Sequence, residues 1–167
     1  MKFTADRESL LRPLQLVTGV VERRQTLPVL SNLLVRAADG AVSITGTDLE
    51  VQLVASVDGI EVEQEGSATI PARKLADIWR SLVEGAQVSV ALEGSRTIVR
   101  SGRSRFALAT LPVDEFPDVA SQDADVSVSL PLADLQRLLD KTSFAMAQQD
   151  VRYFLNGMLL EITSAHV

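Results

Sequence analysis

Apolar positions along the chain follow one plan used three times: a short strand, a helix, then further strands. The first helix is expected from about Asp6 to Val17, after the strand Lys2-Phe3-Thr4. The second runs from about Pro71 to Leu82, after Ala68-Thr69-Ile70. The third runs from about Pro131 to Thr142, after Val126 to Leu130. Leu75, Ile78, Trp79 and Leu82 return sixty residues later as Leu135, Leu138, Leu139 and Thr142. Leu10, Leu14 and Val17 repeat the pattern less perfectly, because Pro13 breaks it. Pro71 and Pro131 each fall in the expected first helical turn, where a missing N–H costs nothing.

Strands follow each helix. Leu33 to Ala37 and Val42 to Thr45 flank the turn Ala38-Asp39-Gly40-Ala41, and Glu50 to Val57 alternates as a half-buried strand does. The second unit offers Val88 to Leu92, a Glu93-Gly94-Ser95 turn, Thr97 to Val99, and Phe106 to Thr110. Each complete unit therefore reads as one helix on its own antiparallel meander. The fold class is α+β, with helices on one face and sheets on the other. Two units give a domain over 1–122. A third unit begins at 123–167, where Tyr153 to Ile162 repeats the strand that starts near Pro28 and then stops, as a truncated second domain would. The acidic, aperiodic stretch Pro112 to Asp125 is the expected linker.

Composition narrows the function. Aromatics make up 4%, so the core must come from Leu, Val, Ile and Ala. There is no Cys, and the one His is His166, which excludes thiol nucleophiles, Cys-based metal sites and His-dependent triads. No cofactor site is expected. No apolar run approaches a bilayer span, and the first residues lack a secretory apolar core, so a cytoplasmic protein without a membrane partner is expected. Net charge is −6 but uneven. Residues 41–66 carry six acids and no base, while 73–105 carry seven bases against three acids. Such a chain can turn a basic face to a polyanion while its remaining surface repels it.

Three constellations stand out. Asp48 and Glu50 could share a hard cation, which makes a small divalent-metal-dependent enzyme one alternative, although Thr-Asp is also ordinary turn chemistry. Arg73, Lys74 and Arg80 lie opposite the apolar stripe of the second helix, with Arg12 and Arg137 at matching places in the other two and Arg23-Arg24 following the first. A sparse cationic set of this kind suits backbone phosphates rather than base edges. In Arg103 to Leu108 an apolar pair, Phe106 and Leu108, is flanked by Arg103 and Arg105 on what reads as an edge strand, fit for pairing with another subunit. A free-standing β-rich interaction module is the other alternative.

Five segments carry a resemblance: Thr26 to Leu34, Gly46-Thr47-Asp48-Leu49-Glu50, Ile70 to Leu75, Arg100 to Phe106, and Gln149 to Gly157. Through them the chain resembles the bacterial DNA polymerase III beta subunit, the replicative sliding clamp. The resemblance implies a DNA-clamp fold and a non-catalytic processivity factor. Its head-to-tail homodimer encircles duplex DNA, with helices lining the ring interior, and tethers polymerases brought together with a clamp loader. By position it implies DNA contacts at Arg24, Arg73, Gln149, Tyr153 and Phe154, the last standing where many relatives carry a second Tyr. It implies a subunit interface at Lys74, Arg96, Arg103, Arg105, Phe106 and Leu108, and one wall of a partner-peptide pocket at Leu155. It implies no catalytic residue and no metal.

Overall fold

The structure, a computed structural model, describes residues 1–21, 27–117 and 127–163. The chain divides into two compact units, Met1–Ala120 and Ser121–Val167.

The first unit runs β1 (Lys2–Asp6), α1 (Arg7–Thr18), a 3₁₀ turn (Pro28–Ser31), β2 (Asn32–Ala38), β3 (Ala41–Thr47), β4 (Gln52–Asp58) and β5 (Glu61–Gln64). It continues with β6 (Gly66–Pro71), α2 (Ala72–Ser81), β7 (Gln87–Glu93), β8 (Arg96–Ser101), β9 (Ser104–Ala109) and a 3₁₀ turn (Val113–Glu115). Two antiparallel sheets result, ordered β5-β1-β7-β8-β9 and β4-β3-β2-β6. The β2–β3 hairpin turns at Asp39-Gly40, both at positive φ (51° and 72°), the mirror-image turn whose twist matches the strands.

The expected meanders form, β2-β3-β4 after α1 and β7-β8-β9 after α2, but the strands that precede the helices are exchanged. β1 leaves its unit and pairs with β7 of the second, while β6 leaves the second and pairs with β2 of the first. The exchange lets both sheets close over one core. That core gathers Phe3, Leu10, Leu14, Val17, Leu33, Val35, Ile44, Ile70, Leu75, Trp79, Val88 and Val99. α1 and α2 pack side by side on it. β5 was not legible, since Glu61-Val62-Glu63-Gln64 offers a single apolar residue; pairing with β1 and the Lys2–Glu63 ion pair hold it.

α1 forms where expected and runs through Pro13, held on both sides by buried Leu10, Leu14 and Val17. Two smaller expectations change. Pro71 and Pro131 are the residues before their helices, in extended backbone, rather than members of the first turn. β4 starts at Gln52 because Gly46 to Val51 closes on itself. Thr47 Oγ1 donates to the Val51 carbonyl (2.9 Å), and Asp48 Oδ1 accepts the N–H groups of Glu50 and Val51 (2.9 and 2.7 Å).

The second unit holds α3 (Leu132–Thr142) and 3₁₀ turns at Ser143–Ala145 and Tyr153–Asn156. The strands expected at Val126–Leu130 and Tyr153–Ile162 do not form among the described residues; Val126 lies outside them. A strand without a neighbour leaves its N–H and C=O groups without a ladder, so neither segment has a reason to extend. Residues 150–156 instead tie to themselves. Asn156 Oδ1 accepts the Asp150 N–H (2.9 Å), and Asn156 Nδ2 donates to the Asp150 carbonyl (3.0 Å).

Candidate nucleic-acid interface

α2 places its charges by elimination. Ala72, Leu75, Ala76, Ile78 and Trp79 are buried, which leaves Arg73, Lys74, Asp77 and Arg80 facing out at the remaining helical positions. Arg73 Nη2 donates to the Val21 carbonyl at 3.3 Å and so ties α2 to the segment after α1. Arg80 Nη1 lies 2.9 Å from Asp77 Oδ1, one turn back on the same helix. Lys74 pairs with no carboxylate among the described residues. Between α2 and the end of α1 lies an open cleft of about 310 Å³, lined by Gln15, Thr18, Gly19, Val21, Arg73 and Arg80 among others. With exposed Arg12 on α1, the two helices present a shallow cationic surface without a deep pocket. Sequence reasoning missed Gln15 and Thr18. Their signal was the helix period, which sets Gln15 three residues beyond Arg12 and Thr18 three beyond that.

Arg24 lies outside the described residues. Gln149, Tyr153, Phe154 and Leu155 all belong to the second unit. Gln149 takes a left-handed backbone (φ 62°), and the rings of Tyr153 and Phe154 stand exposed. Leu155 is half-buried, and its carbonyl accepts the Ala147 N–H at 2.9 Å. Next to them, Asp150 accepts the backbone N–H of Arg152 (2.8 Å) and its Nε and Nη2 (3.0 and 2.9 Å). The Arg152 guanidinium, then its backbone N–H, holds the Asp150 carboxyl below the usual carboxylate range, and the same bond raises Arg152.

β9 is the edge of the five-stranded sheet, with β8 on one side only. Arg105 is exposed on β9, Arg103 in the turn before it and Arg96 at the start of β8; Arg105 Nη2 stands 3.8 Å from Glu93 Oε2, a carboxylate that Arg100 holds more closely at 2.9 Å. Phe106 is half-buried against the core. Leu108, read from the sequence as half of an apolar pair fit for contact with another subunit, is 7% exposed and belongs to the core, because period-2 alternation turns it and Phe106 inward together.

The Asp48 carboxylate is occupied as a turn acceptor, and no group of three or more His, Cys, Asp or Glu side chains gathers among the described residues. No described helix is long and apolar enough to cross a membrane.

Two sheets bridged by exchanged strands, with paired helices on one side, recur in solved sliding clamps. The DNA polymerase III subunit beta of Pseudomonas aeruginosa superposes with a TM-score of 0.92 at 52% identity, covering 98% of this chain and 44% of that one. The Caulobacter crescentus pol III beta gives 0.89 at 39% identity, covering 94% and 42%. The fold is thus the α+β sliding-clamp fold. The sequence profile of the "DNA polymerase III beta subunit, N-terminal domain" matches residues 1–120, and the chain belongs to that family. The beta sliding clamp of Escherichia coli K12 is 54% identical over 161 residues, or 96% of this chain. The chain spans 44% of that relative's length.

Proposed function

We propose that this chain forms the first part of a sliding-clamp subunit, a non-catalytic processivity factor that encircles duplex DNA and tethers replicative and other polymerases after delivery by a clamp loader. Residues 1–122 form its first domain and 123–167 open its second. The observation that carries this reading is 54% identity to a beta sliding clamp, sustained over 161 residues that fold as a clamp. The helix surface supports it. Exposed guanidinium groups on α1 and α2 suit phosphates read without sequence preference, and a ring held by topology needs no tighter grip. In this reading Arg24, Arg73, Gln149, Tyr153 and Phe154 face the DNA. Lys74, Arg96, Arg103 and Arg105 line a homodimer interface in which Phe106 and Leu108 give the apolar part, Phe106 directly and Leu108 from beneath. Leu155 gives one wall of the pocket for partner peptides. The protein works in the cytoplasm and needs no cofactor.

The test is a chimera in which this chain replaces the matching residues of the Escherichia coli relative. Arg24→Glu with Arg73→Glu should shorten residence on loaded DNA, with a deficit that grows with salt as phosphate contacts demand. Unchanged residence at low salt would mean these arginines do not approach the duplex.

A further inference from the structure

The chain carries two asparagines, and their surroundings differ. Asn32 opens β2, is 5% exposed, and donates through Nδ2 to Thr69 Oγ1. The residue after it, Leu33, brings a buried side chain into a strand paired on both sides. Asn156 closes the 3₁₀ turn Tyr153–Asn156, is half-buried, and is followed by Gly157. Gly157 is exposed in extended backbone (φ −127°, ψ 170°), and a Cβ built on it would meet nothing within 4 Å. Its N–H donates to no acceptor among the described residues. A glycine after asparagine leaves the backbone nitrogen free of any Cβ that would crowd its approach to the side-chain carbonyl.

We propose that Asn156 is a site of spontaneous deamidation, and that its conversion unlatches the loop from Asp150 to Asn156. The backbone nitrogen of Gly157 gives its proton to solvent and attacks Cγ of Asn156. The new N–Cγ bond closes a cyclic imide, and the side-chain amino group leaves as ammonia with a proton taken from water. Water then adds to either imide carbonyl and opens the ring, leaving aspartate or isoaspartate at position 156. No oxidant or cofactor enters the balance. The loop itself assists ring closure. The Asp150 N–H donates to Asn156 Oδ1 (2.9 Å), the oxygen that gathers negative charge as the nitrogen attacks. The same amide is the latch, because Nδ2 donates to the Asp150 carbonyl (3.0 Å). After conversion an ionised carboxylate, which only accepts, faces that carbonyl, and the bond becomes a repulsion. Arg152 does not offset the new charge, since its Nε and Nη2 already hold the Asp150 carboxylate. Isoaspartate goes further by lengthening the main chain between the turn and Gly157. In the clamp reading the added charge lies beside the DNA-facing Tyr153 and Phe154; that consequence rests on the proposed function, whereas the deamidation does not.

Trypsin cuts after Arg152, and the fragment Tyr153–Val167 holds Asn156 as its one amide side chain. In mildly alkaline buffer this fragment should become heavier by the exchange of NH for O, and part of it should be methylated by an isoaspartyl methyltransferase. Asn32 should stay unconverted in the same sample. Gly157→Ala fits the open space at its position and should slow the conversion several-fold. Asn156→Asp reproduces one product, so amide exchange at Asp150 should quicken in that variant and in the converted chain alike. None of these readouts involves DNA, so failure here leaves the clamp reading untouched. A synthetic peptide of residues 153–167 gives the rate without the loop. Conversion of the peptide but not of the intact chain would show that the latch protects Asn156, and would overturn the proposal. So would conversion as fast in Gly157→Ala as in the natural chain, or unchanged exchange at Asp150 once Asn156 has been converted.

Discussion

Thr69 is fully buried and holds three partners through one hydroxyl. Its Oγ1 donates to the Leu111 carbonyl (2.7 Å) and accepts the Leu111 N–H (2.8 Å) and Asn32 Nδ2 (3.2 Å). β2, β6 and the segment after β9 meet there, beside the small cluster of Val29, Leu30 and Phe116. Thr69→Val keeps the shape and strands those partners, so chemical denaturation should show a loss of about 1–3 kcal/mol; a wild-type midpoint would mean that water replaces the hydroxyl. Glu8 bears on pH. The Gly85 N–H (3.2 Å from Oε1) and then its own backbone N–H, with Arg7 adding a further bond, hold its carboxyl below the usual range. A depressed carboxyl stabilises the fold above its unfolded pKa and loses that contribution as pH falls through the folded one. Denaturant midpoints taken from about pH 5 downward should therefore fall less steeply for Glu8→Gln than for the natural chain. Identical slopes would remove Glu8 from the acid limb.

At the level of elements, helices were the most legible part. The stripe Leu75, Ile78, Trp79 located α2 to within a residue or two, and the same spacing located α3. Hairpins announced themselves through Asp39-Gly40 and Glu93-Gly94-Ser95. What stayed hidden is non-local. Nothing in Lys2-Phe3-Thr4 tells that β1 will pair with residues near 90, because pairing depends on which edges the helices leave open. The cationic face of α2 was readable from its period, whereas the cleft beside it needed α1 packed in place. Leu108 shows the same limit: alternation puts it with Phe106, but only the sheet's position says that the shared face is core. Leu108→Ala should accordingly cost about 2–5 kcal/mol of folding stability, as a core truncation does. A loss below 1 kcal/mol would return Leu108 to the surface. α3 is the opposite case. It carries the apolar stripe of α2 yet has no buried residue, so hydrogen exchange in Leu132–Thr142 should be fast while α2 is protected. Equal protection would mean that something covers its face.

At the scale of the whole molecule, the described part of the first 120 residues is a clamp-family domain with exposed cations on α1 and α2 and β9 and β4 as terminal strands of its two sheets. In the proposed function such a part acts through closure, its phosphate contacts setting how easily the ring slides and its edge contacts whether the ring stays shut. The direct measurement is retention by topology. A chimeric clamp carrying this chain in place of the matching Escherichia coli residues is loaded onto nicked circular DNA, and the bound fraction is followed before and after one cut that linearises the circle. The account predicts long residence on the circle and rapid loss by sliding off the ends once it is cut. Equal residence on circular and linear DNA, or immediate loss from the closed circle, would contradict it.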